Sequence, residues 1–433
     1  MIYLWYILNF LKKGMINMKK FKIGVFGCNI RAEQLSKDFL LLGSEIVAAC
    51  ETREERKEPF LKVVGNDCVW YTDFDEFIKH DMDAVLLTNY FPEHAPYAVK
   101  CLERGIHVLS ECISNGTMAE GVELIRAAEK SDAVYMLAEN YPQMVFNLEM
   151  QRVCKSGTLG KILYAEGEYN HPGNPKDTRF KKWFNYYPEH WRNFLPRTYY
   201  ITHSLGPVMR ATGATPRRVT AMAATGTPAE RKTGMSHVLE LAACITTYND
   251  DNSIFRVVAN SAYGGHHNAY RICGTKGQIE NVRGMGNKVM LRYNAWDKPE
   301  DKPEISLYEA EWKDKDEEII VSSGHGGGDF ITVRMFLECI EEGKQPEHPF
   351  DVHSAVTMSS VAILGHRSAL EGGMPYDIPD FHDEEQRKKY ENDRLSPFYG
   401  PDGSAPTLPC CPTKPDYKPD QEQIDKYMEM INS

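Results

Sequence analysis

Apolar positions in the first third of the chain follow two alternating rhythms. Ile23–Phe26 is a short apolar run closed by Gly27, the pattern of a buried strand. Ala32, Leu35, Phe39 and Leu42 then recur at spacings of three and four, which predicts a helix laid on one sheet face and stopped at Gly43. Glu45–Cys50 predicts a second strand and Ala84–Thr88 a further one. A helix over 93–104 ends at Gly105, and Val108-Leu109 leads to Glu111. A helix over 118–130 precedes a strand from Val134 to Ala138. Such alternation implies a doubly wound parallel sheet over residues 18–140.

After Tyr141 the rhythm changes. A helix is expected from Val145 to Ser156, with Gly157 past its end. The runs Ile162–Tyr169, Val219–Ala224, Leu239–Tyr248, Ser253–Ala262, Ala269–Gly274 and Lys288–Tyr293 alternate apolar and polar positions, as an antiparallel sheet with one open face does. Helices return over 329–342 and 351–371. The acid run Asp314–Glu318 reads as a solvated loop. The fold class is therefore α/β, with an N-terminal Rossmann doubly wound parallel sheet and a C-terminal α/β domain over 141–380 whose sheet is open and mainly antiparallel. Residues 381–433 form a polar tail expected to wrap the surface or serve a subunit contact.

Met1–Leu11 is almost wholly apolar. It lacks the preceding positive charge and following small residues of a signal peptide, and it falls well short of the ~20 residues that span a bilayer. Residues 1–17 are read as an extra N-terminal segment ahead of a start at Met18, a peripheral anchor or packing arm being the other reading. The net charge of −11 opposes a nucleic-acid partner, since phosphate binding needs a basic face. Eleven cysteines with no Cys-x-x-Cys pair fit reduced, cytoplasmic usage. His266-His267 suggests a metal pair, but neighbours on a strand point to opposite faces and no ligand spacing supports a site. No metal is expected.

The turn after the first strand reads Gly27-x-Asn29-x-x-Ala32, a departure from the Gly-x-Gly-x-x-Gly/Ala dinucleotide fingerprint. Asn tolerates left-handed backbone better than most residues, so the turn is expected to survive with Asn29 in that conformation. Glu51, ending the second strand, is placed to accept hydrogen bonds from adenosine ribose hydroxyls, favouring NAD over NADP. Arg53 nearby offsets part of that preference.

Ala84-Val-Leu-Leu-Thr-Asn-Tyr-Phe-Pro-Glu-His94 and Gly105-Ile-His-Val-Leu-Ser-Glu111 resemble the Gfo/Idh/MocA oxidoreductase family. There the second segment normally continues Glu-Lys-Pro, with the lysine by the nicotinamide. This chain has Glu111-Cys112-Ile113, and a thiol of pKa ~8.5 cannot replace that charge. Glu139-Asn140, Ala165–His171, Trp191-Arg192, Tyr200-Ile-Thr-His203-Ser-Leu-Gly-Pro207 and His325–Phe330 come in the order of the NAD-dependent glycosidase branch, glycoside hydrolase family 109. The likeness spans roughly residues 20–382. Ser204 in place of a glycine and Cys112-Ile113 in place of Val-Pro mark a different subgroup, so substrate identity is not carried over.

The resemblance implies that Ile30, Arg31, Glu51, Phe91, His94, Glu111, Cys112 and Asn140, with Gly27, Asn29 and Thr88 of the turn and adjoining strand, hold NAD. It places Tyr169, Trp191, Arg192, Tyr200, Thr202 and His203 toward a sugar or glycoside, with His171 beside them and Asn147 and His325 within reach. It also implies a homo-oligomer formed through the C-terminal sheet. Hydride removal from a ring hydroxyl, at C3, would acidify the neighbouring C2–H and allow elimination of the group at C1, followed by water addition and hydride return. Such a cycle needs no carboxylate pair. It needs groups that titrate near neutrality and phenols in a preorganised pocket, a role for His203, Tyr200 and Tyr169. A net sugar 3-dehydrogenase, a non-catalytic NAD-binding sensor or scaffold, and reduction of a non-sugar imine or carbonyl remain open on sequence.

Overall fold

The computed structural model describes residues 19–172, 190–226, 240–260, 264–412 and 421–432, and the structural statements below concern these. The segment 1–17, Leu239 at the start of one expected strand and Ala262 at the end of another lie outside them.

Strands β1 (Lys22–Phe26), β2 (Glu45–Cys50), β3 (Val69–Tyr71), β4 (Ala84–Leu87), β5 (His107–Ser110) and β6 (Tyr135–Leu137) pair in parallel, in the order β3-β2-β1-β4-β5-β6. Ile23, Val25, Val85, Leu86, Val108 and Leu109 are fully buried, because helices cover both faces of such a sheet. These helices are α1 (Ile30–Leu41), α2 (Lys57–Val64), α3 (Phe74–Phe77), α4 (His94–Glu103) and α5 (Met118–Lys130). The strand order reverses between β1 and β4, so a crevice opens at their carboxyl ends, where ligands bind in open α/β sheets. α2 and β3 gave little sequence signal: α2 buries only Phe60, and no β3 residue is fully buried.

The second sheet has nine strands in the order β14-β13-β12-β11-β7-β10-β9-β8-β15. They are β7 (Ile162–Asn170), β8 (Pro216–Thr225), β9 (Glu240–Asn249), β10 (Ile254–Asn260), β11 (His267–Gly274), β12 (Gly277–Asn281), β13 (Lys288–Tyr293), β14 (Ile305–Glu309) and β15 (Tyr376–Asp377). All ladders are antiparallel except β7 with β10. β12 was not expected, because Ile279 is its only apolar side chain. Helix α6 (Val145–Lys155) follows the Rossmann sheet, and α7 (Thr202–Thr212) lies on β7. Helices α8 (Glu317–Ser322), α9 (Gly328–Glu342) and α10 (Val352–Leu370) follow, α9 packing on α1, and two further helices, Glu384–Arg387 and Gln421–Asn432, lie beyond them. α10 is buried almost all round and touches both β8 and α5, tying the two sheets together.

Asp314–Glu318 is not a solvated loop. Arg334 of α9 binds Asp314 and Asp316 at 2.6 Å each, Asp316 is buried, and α8 begins immediately after it. A cation twenty residues downstream gathers the run into the fold.

Candidate active site and cofactor cleft

A cleft of about 400 Å³ opens at the β1–β4 crevice and extends to the end of β7. Gly27 turns the chain into it with φ +88°, and a Cβ there would lie 2.5 Å from the Asn89 backbone. Only glycine allows this approach. Asn29 departs from expectation: its backbone is extended (φ −84°, ψ −176°), not left-handed. It acts instead as the N-cap of α1, its Oδ1 accepting from Arg31 N at 2.8 Å and Ala32 N at 3.2 Å while its Nδ2 donates to the Thr88 carbonyl. The departure from the fingerprint is thus absorbed by capping.

Glu51 stands behind the cleft wall, where Arg53 grips it through Nε (3.2 Å) and Nη2 (3.0 Å). Thr88 is buried and donates to the Gly27 carbonyl at 2.7 Å. His94 is buried with Nδ1 2.7 Å from the Ile113 carbonyl, and burial lowers its pKa although that carbonyl pulls the other way. Arg31 joins two acids, Nε to Glu111 (2.5 Å) and Nη1 to Asp329 (2.7 Å). Asp329 also accepts from Asn140 Nδ2 at 2.6 Å and lies 2.9 Å from His325 Nδ1. Burial opposes its charge, but Arg31 and His325 hold its carboxyl far below the ordinary range.

The sugar-side residues arrive from β7 and α7. A Cβ on Gly167 would meet the Ser204 carbonyl at 2.0 Å, so the bare backbone of β7 lets α7 pack directly on it. That contact brings His203 to Tyr169, with ring centroids 4.8 Å apart and edge to face. Tyr141 stacks on the other side of His203 at 4.3 Å, and Tyr200 meets it edge-on at 5.6 Å. His203 Nδ1 lies 2.8 Å from Glu139 Oε1. Glu139 is fully buried; burial pushes its carboxyl up, and His203 with the Thr202 hydroxyl and Cys112 thiol outweighs this and holds it down. Cys112 Sγ donates to Glu139 Oε2 at 3.2 Å. Burial, Glu139 and Glu111 raise that thiol well above its usual value, so it stays protonated. Burial and the neighbouring Tyr200 and Tyr141 hydroxyls likewise hold the Tyr169 phenol protonated.

Trp191 stacks on Phe91 at 4.9 Å and 17°, and the Arg192 guanidinium lies over the Trp191 ring. His171 meets His266 edge-on at 4.6 Å. Burial, with His266, His203, His325 and Arg192, lowers the His171 pKa to about 4. Asn147 does not enter the cleft; it is buried with Nδ2 on the Tyr141 carbonyl. Among the described residues no three His, Cys, Asp or Glu side chains come together to hold a metal, and no helix is long and apolar enough to cross a membrane.

Every expected site residue except Gly27, Glu51 and Asn147 lines this cleft. Gly27 shapes the turn and Glu51 stands behind Arg53. Glu139, Tyr141 and Asp329, which contact His203 and Arg31, carry no local sequence signal for those contacts. Glu139 lies in the quoted Glu139-Asn140 pair, but nothing local ties it to a histidine sixty-four residues away. The chain's own residues fit a dinucleotide: the Gly27 cradle, the capped start of α1, and the buried Asn89 Oδ1, which has no partner.

Fold and site define an NAD-binding Rossmann enzyme of the oxidoreductase class. Residues 21–139 match the family model "Oxidoreductase family, NAD-binding Rossmann fold". Residues 144–388 match "Glycosyl hydrolase 109, C-terminal domain", and the chain belongs to glycosyl hydrolase family 109. It is 25% identical over 413 residues to a glycosyl hydrolase family 109 protein of Solibacter usitatus, covering 83% of this chain and 88% of the relative. A family 109 protein of Akkermansia muciniphila is also 25% identical, over 403 residues, covering 85% of this chain and 83% of the relative. Among solved structures, levoglucosan dehydrogenase in complex with NADH and levoglucosan superposes with a TM-score of 0.70 at 17% identity, over 83% of this chain and all of that one. Aldose-aldose oxidoreductase of Caulobacter crescentus gives 0.62 at 18% identity, over 83% and 100% of the two chains. These structural likenesses speak for the fold.

Proposed function

We propose that this enzyme acts on a sugar or glycoside by hydride transfer from the hydroxyl-bearing ring carbon C3, within a redox-neutral cycle that cleaves the glycosidic bond. The observation that carries the reading is the buried Glu139–His203 pair, 2.8 Å apart and ringed by Tyr141, Tyr169 and Tyr200, in the same cleft as the Gly27–Asn29 turn.

Asn29, Arg31, Thr88, Phe91, His94 and Glu111 would hold NAD, with Asn140 bracing Arg31 through Asp329. Bound there, NAD supplies a reversible hydride acceptor for a hydroxyl-bearing carbon. His203, with its Nδ1 proton directed at Glu139, presents Nε2 as the base for that hydroxyl. Tyr169, kept protonated, serves as acid toward the departing group, and Tyr200 stands by as the second base. Trp191 offers a stacking face and Arg192 a hydroxyl donor. Thr202 holds the Glu139 carboxylate, and His171, largely neutral at pH 7, completes the wall. Cys112 keeps Glu139 hydrogen-bonded.

The open sheet face, where Met222, Tyr248, Ile254 and Leu307 are exposed, supports a homo-oligomer formed through that sheet. The buried thiols Cys28, Cys50, Cys68 and Cys101, none in a disulfide, support a cytoplasmic location.

Following absorbance at 340 nm and released sugar together over a glycoside panel tests the reading. Free sugar without accumulating NADH, lost in His203→Ala, is the expected result. Stoichiometric NADH with a keto-sugar would make the enzyme a net dehydrogenase. NAD binding with neither signal would make it a sensor.

A further inference from the structure

Residues 391–412 have no helix or strand and lie beyond residue 388, where the family match ends. They are nevertheless tied down at both ends. Asp393 takes both terminal guanidinium nitrogens of Arg367, at 2.6 and 2.7 Å, and its carbonyl accepts from Ala119 N in the first turn of α5 at 2.9 Å. Glu391 accepts from Arg126 at 2.9 Å, and Arg394 pairs with Glu123. At the far end the Pro409 carbonyl lies 2.8 Å from His366 Nε2, and Cys411 is fully buried. Between these anchors Thr407 N and Leu408 N bond the Ser396 carbonyl at 2.9 and 3.0 Å, closing a loop around Phe398.

Phe398 is 3% exposed. Its ring meets Tyr199 edge-on at 5.0 Å and Phe91 at 6.3 Å and 69°, while neighbouring Tyr399 meets Phe194 at 5.1 Å. Phe91 in turn lies parallel to Trp191 at 4.9 Å and to Tyr200 at 6.4 Å. One tail side chain thus touches both the Rossmann-domain ring of the wall and the residue preceding Tyr200. Aromatic pairs prefer particular offsets and tilts, so a ring packed edge-on fixes its partner in a way an open surface does not.

We propose that Phe398 is a positioning residue: the strap 391–412 sets the Phe91–Trp191–Tyr200 wall, and sugar recognition depends on it. This rests on the reading of Trp191 and Tyr200 as substrate-facing groups.

The test compares Phe398→Ala and Phe398→Leu with wild type, as full chains loaded with NAD. Hydrogen exchange is expected to quicken over 190–201 in Phe398→Ala and to stay unchanged over α10. For whichever panel glycoside the wild type turns over, KM is expected to rise about tenfold with kcat within about threefold, a loss in binding near 1.4 kcal/mol. Phe398→Leu, which keeps the buried volume, should recover most of it. If Phe398→Ala does not fold, the same split is read in Phe398→Leu at about threefold in KM. Unchanged exchange over 190–201 together with unchanged KM overturns the proposal. Should no glycoside be turned over by wild type, the functional reading falls by itself, and the exchange pattern still decides the role of the strap.

Discussion

Glu139 Oε1 lies 2.8 Å from Nδ1 of His203, and neither residue is near the other in sequence. The carboxylate is buried and charged, so it fixes which imidazole nitrogen carries the proton, and in the proposed cycle it would stabilise the imidazolium formed when Nε2 takes another. Glu139→Gln keeps shape and burial but loses that charge. It is expected to lower kcat about 100-fold or more while leaving NAD affinity within about threefold. Steady-state rates alongside dinucleotide titration check this; an unchanged kcat would remove His203 as base.

Cys112 lies between two acids: its thiol donates to Glu139 and, with Glu111 also near, is held well above its usual pKa. It should therefore resist alkylation. Iodoacetamide at pH 7.5, followed by peptide mass analysis, is expected to label exposed Cys244 well before Cys112. Rapid labelling of Cys112 would mean that Glu139 and Glu111 do not suppress its thiolate.

Gly27 is the position where the cofactor turn tolerates no side chain. Gly27→Ala combines φ +88° with a Cβ 2.5 Å from the Asn89 backbone. It is expected to cost about 2 kcal/mol or more of stability and to abolish detectable NAD binding. Urea unfolding and calorimetric NAD titration measure the two effects separately.

The parallel sheet was legible because buried strands write continuous apolar runs and their helices write three-four spacing. The helix that carries His203 was not. Thr202, Ser204, Leu205, Gly206, Pro207, Val208 and Met209 of α7 are all buried, so the helix shows no polar face, and Gly206-Pro207 reads as a break. Asn29 was placed correctly in the turn but for the wrong reason, since capping rather than left-handed backbone makes it fit. The long-range partners, Glu139 for His203 and Asp329 for Arg31, come from the packing of distant elements, which no local spacing encodes.

His366 supplies a pH dependence. It is fully buried, and burial, aided by Arg367 and opposed by the Pro409 carbonyl, holds its imidazole at about 4 against 6.5 in the unfolded chain. Between those values the unfolded chain binds a proton that the folded chain does not. Stability is thus lost as pH falls from 6.5 and the loss is complete near 4, amounting to about 2 kcal/mol between pH 7 and pH 5. Urea unfolding at both pH values should show this decrement in wild type and a smaller one in His366→Gln.

Isotopes in the released sugar separate a redox-cycling cleavage from direct hydrolysis. Cleavage is run in deuterium oxide, and the released sugar is read by mass spectrometry and proton NMR. A hydride held on the enzyme does not exchange with solvent, whereas a C2 proton removed by a side-chain base does. Deuterium at C2 with the original hydrogen retained at C3 is the expected result. Free sugar carrying no deuterium at C2 would contradict it, and would mean that the bond is hydrolysed without oxidation of the ring.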